Sequence, residues 1–188
     1  MLGKFDKRKQ DVLSKSDKSS KGDWDKEIAE LCDKINSSGS YYTTSSCSGR
    51  ILLIKAQDKK APNLFEFVSH EVVGFEKFVK VLEKLKTKSE LKFKQEPVIL
   101  HVACRSLKHA SEILEKARKA GWKRSGIISP EKNIVELLST EKLEFPIIKK
   151  KILVDDDFLK LVLKTANENL KKGWEKIEKL QKELCNEL

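Results

Sequence analysis

Apolar runs of strand length are the most regular pattern in this chain. The run at 98–104 is nearly continuous in apolar residues, which is typical of a strand buried on both faces. A polar turn at 129–133 separates two further runs, 122–128 and 134–138, and these two segments are therefore expected to form a hairpin. Other strands are predicted at 41–42, 51–54, 64–68 and, briefly, after Pro146.

Apolar positions at helical spacing predict five helices. They are expected at 2–13, from residue 23 or 25 to 35, at 75–86, at 106–120 and at about 155–187. Asp23 or Asp25 is a candidate cap for the second helix, and Ser106 and Gly121 suit the start and the end of the fourth. We therefore expect an α/β (α+β) protein in which a single layer of mixed strands, centred on 98–104, is packed by helices.

The same pattern bounds the domain organisation and the type of fold. No interdomain linker, repeat or low-complexity run interrupts the chain, so one domain is expected over residues 1–188. No G-x-G-x-x-G loop follows any predicted strand, which argues against a Rossmann-type nucleotide fold. The long C-terminal helix has one apolar face throughout and carries no evident chemistry.

The charge balance favours a polyanionic partner. Lys and Arg number 39 against 29 Asp and Glu, which gives a net charge of +10. Nucleic acid is the first candidate and an anionic membrane surface the second, although proteins from hot environments are also rich in Lys and Glu. No apolar run reaches the roughly 20 residues of a membrane span. Charges crowd the start of the chain, which does not resemble a signal peptide, so a cytoplasmic protein without a membrane partner is expected.

The four cysteines show no C-x-x-C pair and no metal-ligand spacing with the three histidines, so no metal is expected. Cys32 and Cys185 lie on apolar faces of predicted helices and are interpreted as core thiols. Cys47 is interpreted first as a packed or cofactor-contacting thiol and second as a nucleophile.

The segment 43–50 concentrates polar chemistry. It contains five hydroxyls, a thiol, a glycine and an arginine in eight residues, and it is predicted to be a polar loop between two strands. Gly49 permits a positive φ or a close approach to a ligand, and Arg50 offers a planar fork for carboxylate or phosphate. A serine-rich hairpin turn with a solvated arginine is the simpler alternative, since serine and glycine are common in turns.

Two histidines and an arginine lie at predicted strand ends. His70 follows one strand and His101 lies within the central one, where it points to the face opposite Leu100. A lone strand histidine is more often structural than catalytic, so both interpretations stay open. Arg105 falls where the central strand ends and a helix begins, a common position for ligand groups in α/β proteins.

The order of residues in 45–50, Ser-Ser-Cys-Ser-Gly-Arg, resembles the signature of the tRNA wybutosine-synthesising protein 3 family. Further elements appear in the family's order over about residues 15–180. They are Asp17, Ser19, Lys21, Gly22 and Asp25, then Ser69-His70, His101 with Cys104-Arg105, Arg124-Ser125-Gly126-Ile127, Ser139-Thr140 and Ala166-Asn167. One position departs from the pattern, since Phe65 and Phe67 stand where a tryptophan is expected ahead of Ser69.

The resemblance implies an S-adenosylmethionine-dependent methyltransferase of wybutosine biosynthesis. Its substrate would be phenylalanine tRNA, and the methyl acceptor would be N4 of a wyosine-type base at position 37 in the anticodon loop. On that basis we assign cofactor binding to Ser45, Ser46, Cys47, Ser48, Gly49 and Arg50, and catalysis to His70 and His101. Contacts with RNA are assigned to Lys21, Arg105, Lys123, Arg124 and Ser125.

Two other functions remain compatible with the sequence. The charge of +10 also suits a basic RNA-binding module without catalytic activity. A redox or nucleophilic enzyme that uses Cys47 is the third possibility, and it requires a thiol that reacts fast at neutral pH.

Overall fold

The computed structural model describes residues 3–14, 25–56, 63–85 and 90–185 of the chain. Five α-helices and nine strands lie within these ranges. The helices are α1 (Lys4–Leu13), α2 (Lys26–Ser37), α3 (Phe75–Leu85), α4 (Leu107–Lys119) and α5 (Asp156–Cys185). The strands are β1 (Tyr41–Cys47), β2 (Arg50–Lys55), β3 (Phe65–Ser69), β4 (Leu91–Glu96), β5 (Ile99–Cys104), β6 (Gly126–Ser129), β7 (Ile134–Leu138), β8 (Leu143–Lys149) and β9 (Lys151–Ile152).

The strands form two sheets, in the orders β1-β5-β7-β6 and β3-β2-β4-β8-β9, and every pairing is antiparallel. The α/β class, the long C-terminal helix and the hairpin of β6 and β7 are confirmed, and β5 is an interior strand as expected. The prediction of a single layer of mixed strands is wrong. An apolar run predicts a strand but does not select the strand it pairs with.

The chain divides into two compact units. Unit 1 contains Met1–Ser48, Val98–Thr140 and Trp174–Leu188, and unit 2 contains Gly49–Pro97 and Glu141–Gly173. One domain over residues 1–188 therefore stays a prediction. No helix in the described ranges is both long and apolar enough to cross a bilayer.

Unit 1 buries one face of its four-stranded sheet against helices. Its core is a single cluster to which α2, α4 and the end of α5 contribute together with β5 and β7. Trp122 is fully buried in this cluster and donates its indole N–H to the Lys176 carbonyl at 3.0 Å. Burying so large an aromatic side chain is worth several kcal/mol, roughly 3–5 by the cost of truncation.

The ends of α4 agree with the local sequence. The Ser106 side chain accepts a hydrogen bond from the His109 N–H, which satisfies one of the free donors at the helix start. Gly121 has φ of 94°, in the left-handed region that favours glycine just after a helix. The predicted boundaries of this helix, 106 and 120, are therefore confirmed to within one residue.

Unit 2 is organised around strand β4, whose burial alternates along its length. Its inward side chains include Phe93, which belongs to a row of neighbouring aromatic rings 5.1–5.7 Å apart between centroids. The row runs in the order Phe67, Phe78, Phe93, Phe145 and Phe158. Helices α3 and α5 supply Phe78 and Phe158, so this row places both helices on the same face of the sheet.

Candidate functional site

The signature, residues 45–50, lies mostly in a strand. Strand β1 extends to Cys47, and only Ser48 and Gly49 separate it from β2. The prediction of a polar loop over 43–50 is therefore wrong, and so is the alternative of a hairpin, because β1 pairs with β5 whereas β2 pairs with β3 and β4. Thr44 is the extra residue of a bulge, since the register shifts between Thr43 and Ser45.

Ser48 is fully buried, and its polar groups form hydrogen bonds with other residues of unit 1. Its backbone N–H and its hydroxyl both donate to Asp25 Oδ2, at 2.8 and 3.1 Å. Its carbonyl accepts a hydrogen bond from Trp174 Nε1 at 3.1 Å. Ser48 therefore fixes the end of β1. Sequence reasoning missed both partners: Asp25 stands at the N-cap position of α2 but makes no side-chain cap bond, and Trp174 lies on α5, the helix to which the sequence assigned no chemistry.

Gly49 has φ of 89°, which confirms the positive φ that the sequence allows. A Cβ at this position would lie 3.1 Å from Leu170 Cδ2 and 3.2 Å from the Glu96 carbonyl oxygen. Both distances are tighter than ordinary contacts. The glycine is therefore required by the backbone conformation and by close packing within unit 2.

Arg50 is held in a defined orientation within unit 2. Its Nε lies 2.7 Å from Glu96 Oε2, and its guanidinium carbon lies 5.1 Å from the centre of the Phe65 ring. The register of β2 and β4 places Arg50 directly opposite Glu96. Both side chains are about one third exposed, so the remaining guanidinium donors are available to an anionic group.

A polar row crosses the unit 1 sheet on the face away from its core. Leu100 and Val102 of β5 belong to the core, so the alternate residue His101 projects from the opposite face. The strand registers place Ser45 of β1 on one side of His101 and Glu136 of β7 on the other. His101 Nε2 lies 2.9 Å from Glu136 Oε2, and the two side chains are 27% and 28% exposed.

The other signature and histidine positions are placed as follows. Ser46 lies opposite Leu100 and Cys47 opposite Ile99 in the β1–β5 ladder, and both are half-buried. His70 is half-buried at the bend that follows β3 in unit 2. The cofactor and catalytic roles assigned to these residues stay predictions.

Arg105, assigned to RNA, binds groups of unit 1. It donates to the Gly39 carbonyl at 3.0 and 2.7 Å, pairs with the Asp6 carboxylate of α1, and lies 4.5 Å over the Phe5 ring. The hydrogen bond with Arg105 holds the pKa of the Asp6 carboxyl below its usual value and raises the pKa of Arg105. A phosphate would therefore have to compete with Asp6 for this guanidinium.

The remaining residues assigned to RNA have different surroundings. Lys123 and Arg124 are exposed at the turn before β6. Ser125 Oγ donates to the Trp122 carbonyl at 2.7 Å and accepts from the Leu138 N–H at 3.1 Å, so its hydroxyl holds the turn together. Lys21 lies outside the described residues.

The thiols differ strongly in environment. Cys32 is buried in the unit 1 core, as predicted, whereas the prediction for Cys185 is wrong because it is exposed. Cys185 follows the buried Leu184 by one residue, about 100° around the helix, and so leaves the core-facing side. Burial raises the pKa of the Cys104 thiol to about 12, so this thiol is inert at neutral pH.

We expect alkylation to distinguish these thiols. At neutral pH, iodoacetamide should label Cys185 first and the half-buried Cys47 more slowly, and Cys32 and Cys104 should react only after denaturation. Peptide mass spectrometry over a time course, with and without guanidinium, measures the order. Labelling of Cys47 at least as fast as Cys185 would contradict it and would support a nucleophilic Cys47.

A buried hydroxyl in unit 1 has no hydrogen-bond partner among the described residues. Ser139, the residue after β7, is 1% exposed, and its Oγ is unpaired while its backbone N–H donates to the Val98 carbonyl at 3.1 Å. An unpaired buried hydroxyl costs about 1–3 kcal/mol. The ladder continues from Cys47 through Ile99 to Leu138, so Ser139 lies at the same end of the sheet as Ser48.

Comparison with protein families gives one match that spans nearly the whole chain. The family described as methyltransferase TYW3 matches residues 7–186. A protein of Archaeoglobus fulgidus, named tRNA(Phe) 7-((3-amino-3-carboxypropyl)-4-demethylwyosine(37)-N(4))-methyltransferase, is 40% identical over 163 residues, which are 85% of this chain and 82% of that protein. The tRNA wybutosine-synthesizing protein 3 homolog of Homo sapiens is 33% identical over 183 residues, which cover 93% and 70%.

Solved structures share the fold. The PH1069 protein from Pyrococcus horikoshii superimposes with a TM-score of 0.85 at 30% identity, over 96% of this chain and 95% of that one. A hypothetical protein from Aeropyrum pernix gives a TM-score of 0.73 at 26% identity, over 85% and 96% of the two chains.

Proposed function

Because the chain belongs to the methyltransferase TYW3 family, we propose that it methylates N4 of a 4-demethylwyosine-type base at position 37 of phenylalanine tRNA, with S-adenosylmethionine as the methyl donor. The observation that carries this proposal is the family match over residues 7–186. The name of the 40% identical relative supports the substrate and the methylated atom. The proposed substrate and cofactor are both found in the cytoplasm, where we place the protein.

S-Adenosylmethionine, when bound, supplies a methyl group on a sulfonium that a nitrogen lone pair can attack. The protein must then hold the acceptor nitrogen in line, exclude water and accept the proton that N4 loses. We assign the role of proton acceptor to His101, whose imidazole projects from β5, an interior strand of the unit 1 sheet. His70 is proposed to contact the base.

Cofactor binding is proposed for the signature, with different roles along it. Ser48 and Gly49 are proposed to shape the backbone, because their polar groups and conformation are fixed by the protein. Ser45, Ser46 and Cys47 retain partial exposure and would supply polar contacts. Arg50 is proposed to bind the carboxylate of the cofactor's amino-acid end.

One further observation supports the binding of a polar cofactor by these residues. It is the buried hydroxyl of Ser139, which has no hydrogen-bond partner among the described residues. A ligand atom that accepts or donates a hydrogen bond would satisfy this hydroxyl. We therefore propose Ser139 as an additional cofactor contact in unit 1.

We expect Ser139→Ala to change stability and affinity in opposite directions. Without cofactor, the free energy of unfolding of the variant should be about 1 kcal/mol higher than that of the wild type, because the unpaired buried hydroxyl is gone. The variant is therefore expected to be more stable. Its affinity for S-adenosylmethionine should fall about two- to tenfold, the value of one neutral hydrogen bond. Urea unfolding and isothermal titration calorimetry measure the two quantities.

The matched control for this test is Ser106→Ala. It removes the cap of α4 and should destabilise unit 1 by about 1 kcal/mol without changing cofactor affinity. Loss of stability in Ser139→Ala, together with unchanged affinity, would assign Ser139 a structural role.

The RNA contacts are proposed for the exposed Lys123 and Arg124, which suit backbone phosphates of the anticodon loop. A base at position 37 must leave the loop stack to reach a catalytic group, and aromatic or cationic surfaces commonly receive such bases. The net charge of +10 supports the association.

The decisive assay is transfer of radiolabelled methyl groups to phenylalanine tRNA that carries the precursor base. The same tRNA without the precursor base is the control and should remain unlabelled. Calorimetry with S-adenosylmethionine is run beside it. Tight tRNA binding without saturable cofactor binding or methyl transfer would contradict the proposal and favour a non-catalytic RNA-binding module.

A further inference from the structure

The contact of His101 with Glu136 fixes which ring nitrogen of the histidine is available. A carboxylate only accepts hydrogen bonds, so in the neutral ring the proton lies on Nε2, which is 2.9 Å from Glu136 Oε2. The other nitrogen, Nδ1, then carries the lone pair. A neutral histidine held in this way can accept a proton at Nδ1 without first changing its tautomer.

The backbone also supports this pair. His101 and Glu136 are directly opposite residues of β5 and β7, the two interior strands of the unit 1 sheet. The Cβ atoms of opposite residues in an antiparallel ladder are about 4.5–5.5 Å apart, so strand pairing alone keeps the two side chains within reach. The pair differs in this respect from the ion pairs on the outside of helix α4, whose side chains are more exposed.

We propose that Glu136 is a positioning residue for His101. This inference rests on the proposed function. In the methyl-transfer step the bond between N4 and the methyl carbon forms and the sulfonium–methyl bond breaks, with its electron pair staying on sulfur. The proton of N4 goes to Nδ1 of His101, and Glu136 stabilises the resulting imidazolium through the hydrogen bond at Nε2.

Two substitutions separate the acceptor role of Glu136 from its charge. Glu136→Gln keeps an oxygen that can accept a hydrogen bond from the Nε2–H group but lacks the charge that stabilises the imidazolium. We expect kcat of this variant to fall severalfold. Glu136→Val removes the acceptor and suits a strand, and we expect kcat to fall about ten- to a hundredfold, the range typical for loss of a partner that orients a functional histidine. The dissociation constant for S-adenosylmethionine and the KM for tRNA should stay at wild-type values.

The control variant is Glu115→Gln on α4. It removes another ion pair of unit 1, with Lys119 at 3.1 Å, and should leave kcat unchanged. The double variant His101→Ala with Glu136→Val should be no slower than His101→Ala alone, because Glu136 acts only through the ring. Nitrogen-15 NMR of the imidazole should show the Nε2–H tautomer in the wild type and a mixture of tautomers in Glu136→Val.

Several results would overturn the inference. They are wild-type kcat in Glu136→Val, an additional loss in the double variant, and an unchanged tautomer in the NMR spectrum. Full activity of His101→Ala would also refute it, while leaving the proposed methyl transfer intact. A wild-type protein that transfers no methyl group would refute the proposed function, and the NMR experiment would still show whether Glu136 fixes the ring.

Discussion

The His101→Ala variant is expected to bind S-adenosylmethionine as tightly as the wild type and to methylate tRNA about a hundredfold more slowly. The reason is that His101 is proposed to accept a proton rather than to bind the cofactor. Its ring lies on an interior strand and is oriented by Glu136 at 2.9 Å, so its removal leaves a site without a base in a defined position. Single-turnover methyl transfer and calorimetry measure the two quantities separately.

His109→Ala is the matched control for His101→Ala. The His109 ring also belongs to unit 1, but its Nδ1 lies 2.7 Å from Ser106 Oγ and its ring packs edge-on against Tyr41. We expect this variant to lose some stability and to keep its rate when it is assayed well below its unfolding temperature. Full activity of His101→Ala would assign this histidine a structural role. Weakened binding of S-adenosylmethionine would instead assign it a role in cofactor binding.

The Arg50→Ala variant is expected to bind S-adenosylmethionine about ten- to a hundredfold more weakly. A charge-assisted hydrogen bond from a guanidinium to a carboxylate is worth about 1.5–3 kcal/mol. Glu96 and the Phe65 ring already hold Arg50 in one orientation, so little side-chain entropy is lost on binding. Titration calorimetry on the variant and the wild type gives the change in affinity directly.

Two further variants make the Arg50 test specific. Arg50→Lys keeps the charge without the planar fork and should fall between the wild type and Arg50→Ala. Lys94→Ala removes another ion pair of unit 2, with Glu144 at 3.1 Å, and should leave the affinity unchanged. Unchanged cofactor affinity in Arg50→Ala, together with weaker tRNA binding, would assign Arg50 to RNA.

Local elements of the fold could be predicted from the sequence because they depend on neighbouring residues. Helix α4 begins at the Ser106 cap and ends before Gly121 since both signals act within one turn of the helix. The hairpin of β6 and β7 follows from a short polar turn between two apolar runs. The positive φ of Gly49 was likewise allowed by the residue type alone.

The two sheets could not be predicted because strand pairing is a long-range choice. The strands β1 and β2 are separated by two residues, yet they pair with different partners and belong to different sheets. The serine-rich composition of 43–47 favoured a loop, but its pairing with β5 makes these residues a strand. Pairing with an interior strand outweighs a weak local preference for turns.

The site divides in the same way. The order Ser-Ser-Cys-Ser-Gly-Arg identified the family, because it depends only on which residues follow one another. The partners that orient these groups were decided by tertiary structure: Asp25 for Ser48, Glu96 for Arg50 and Glu136 for His101. These pairs are 23, 46 and 35 residues apart, and no local pattern relates residues so distant in the chain. Only the folded chain brings such residues within hydrogen-bond distance, and for His101 that contact determines which ring nitrogen is available for chemistry.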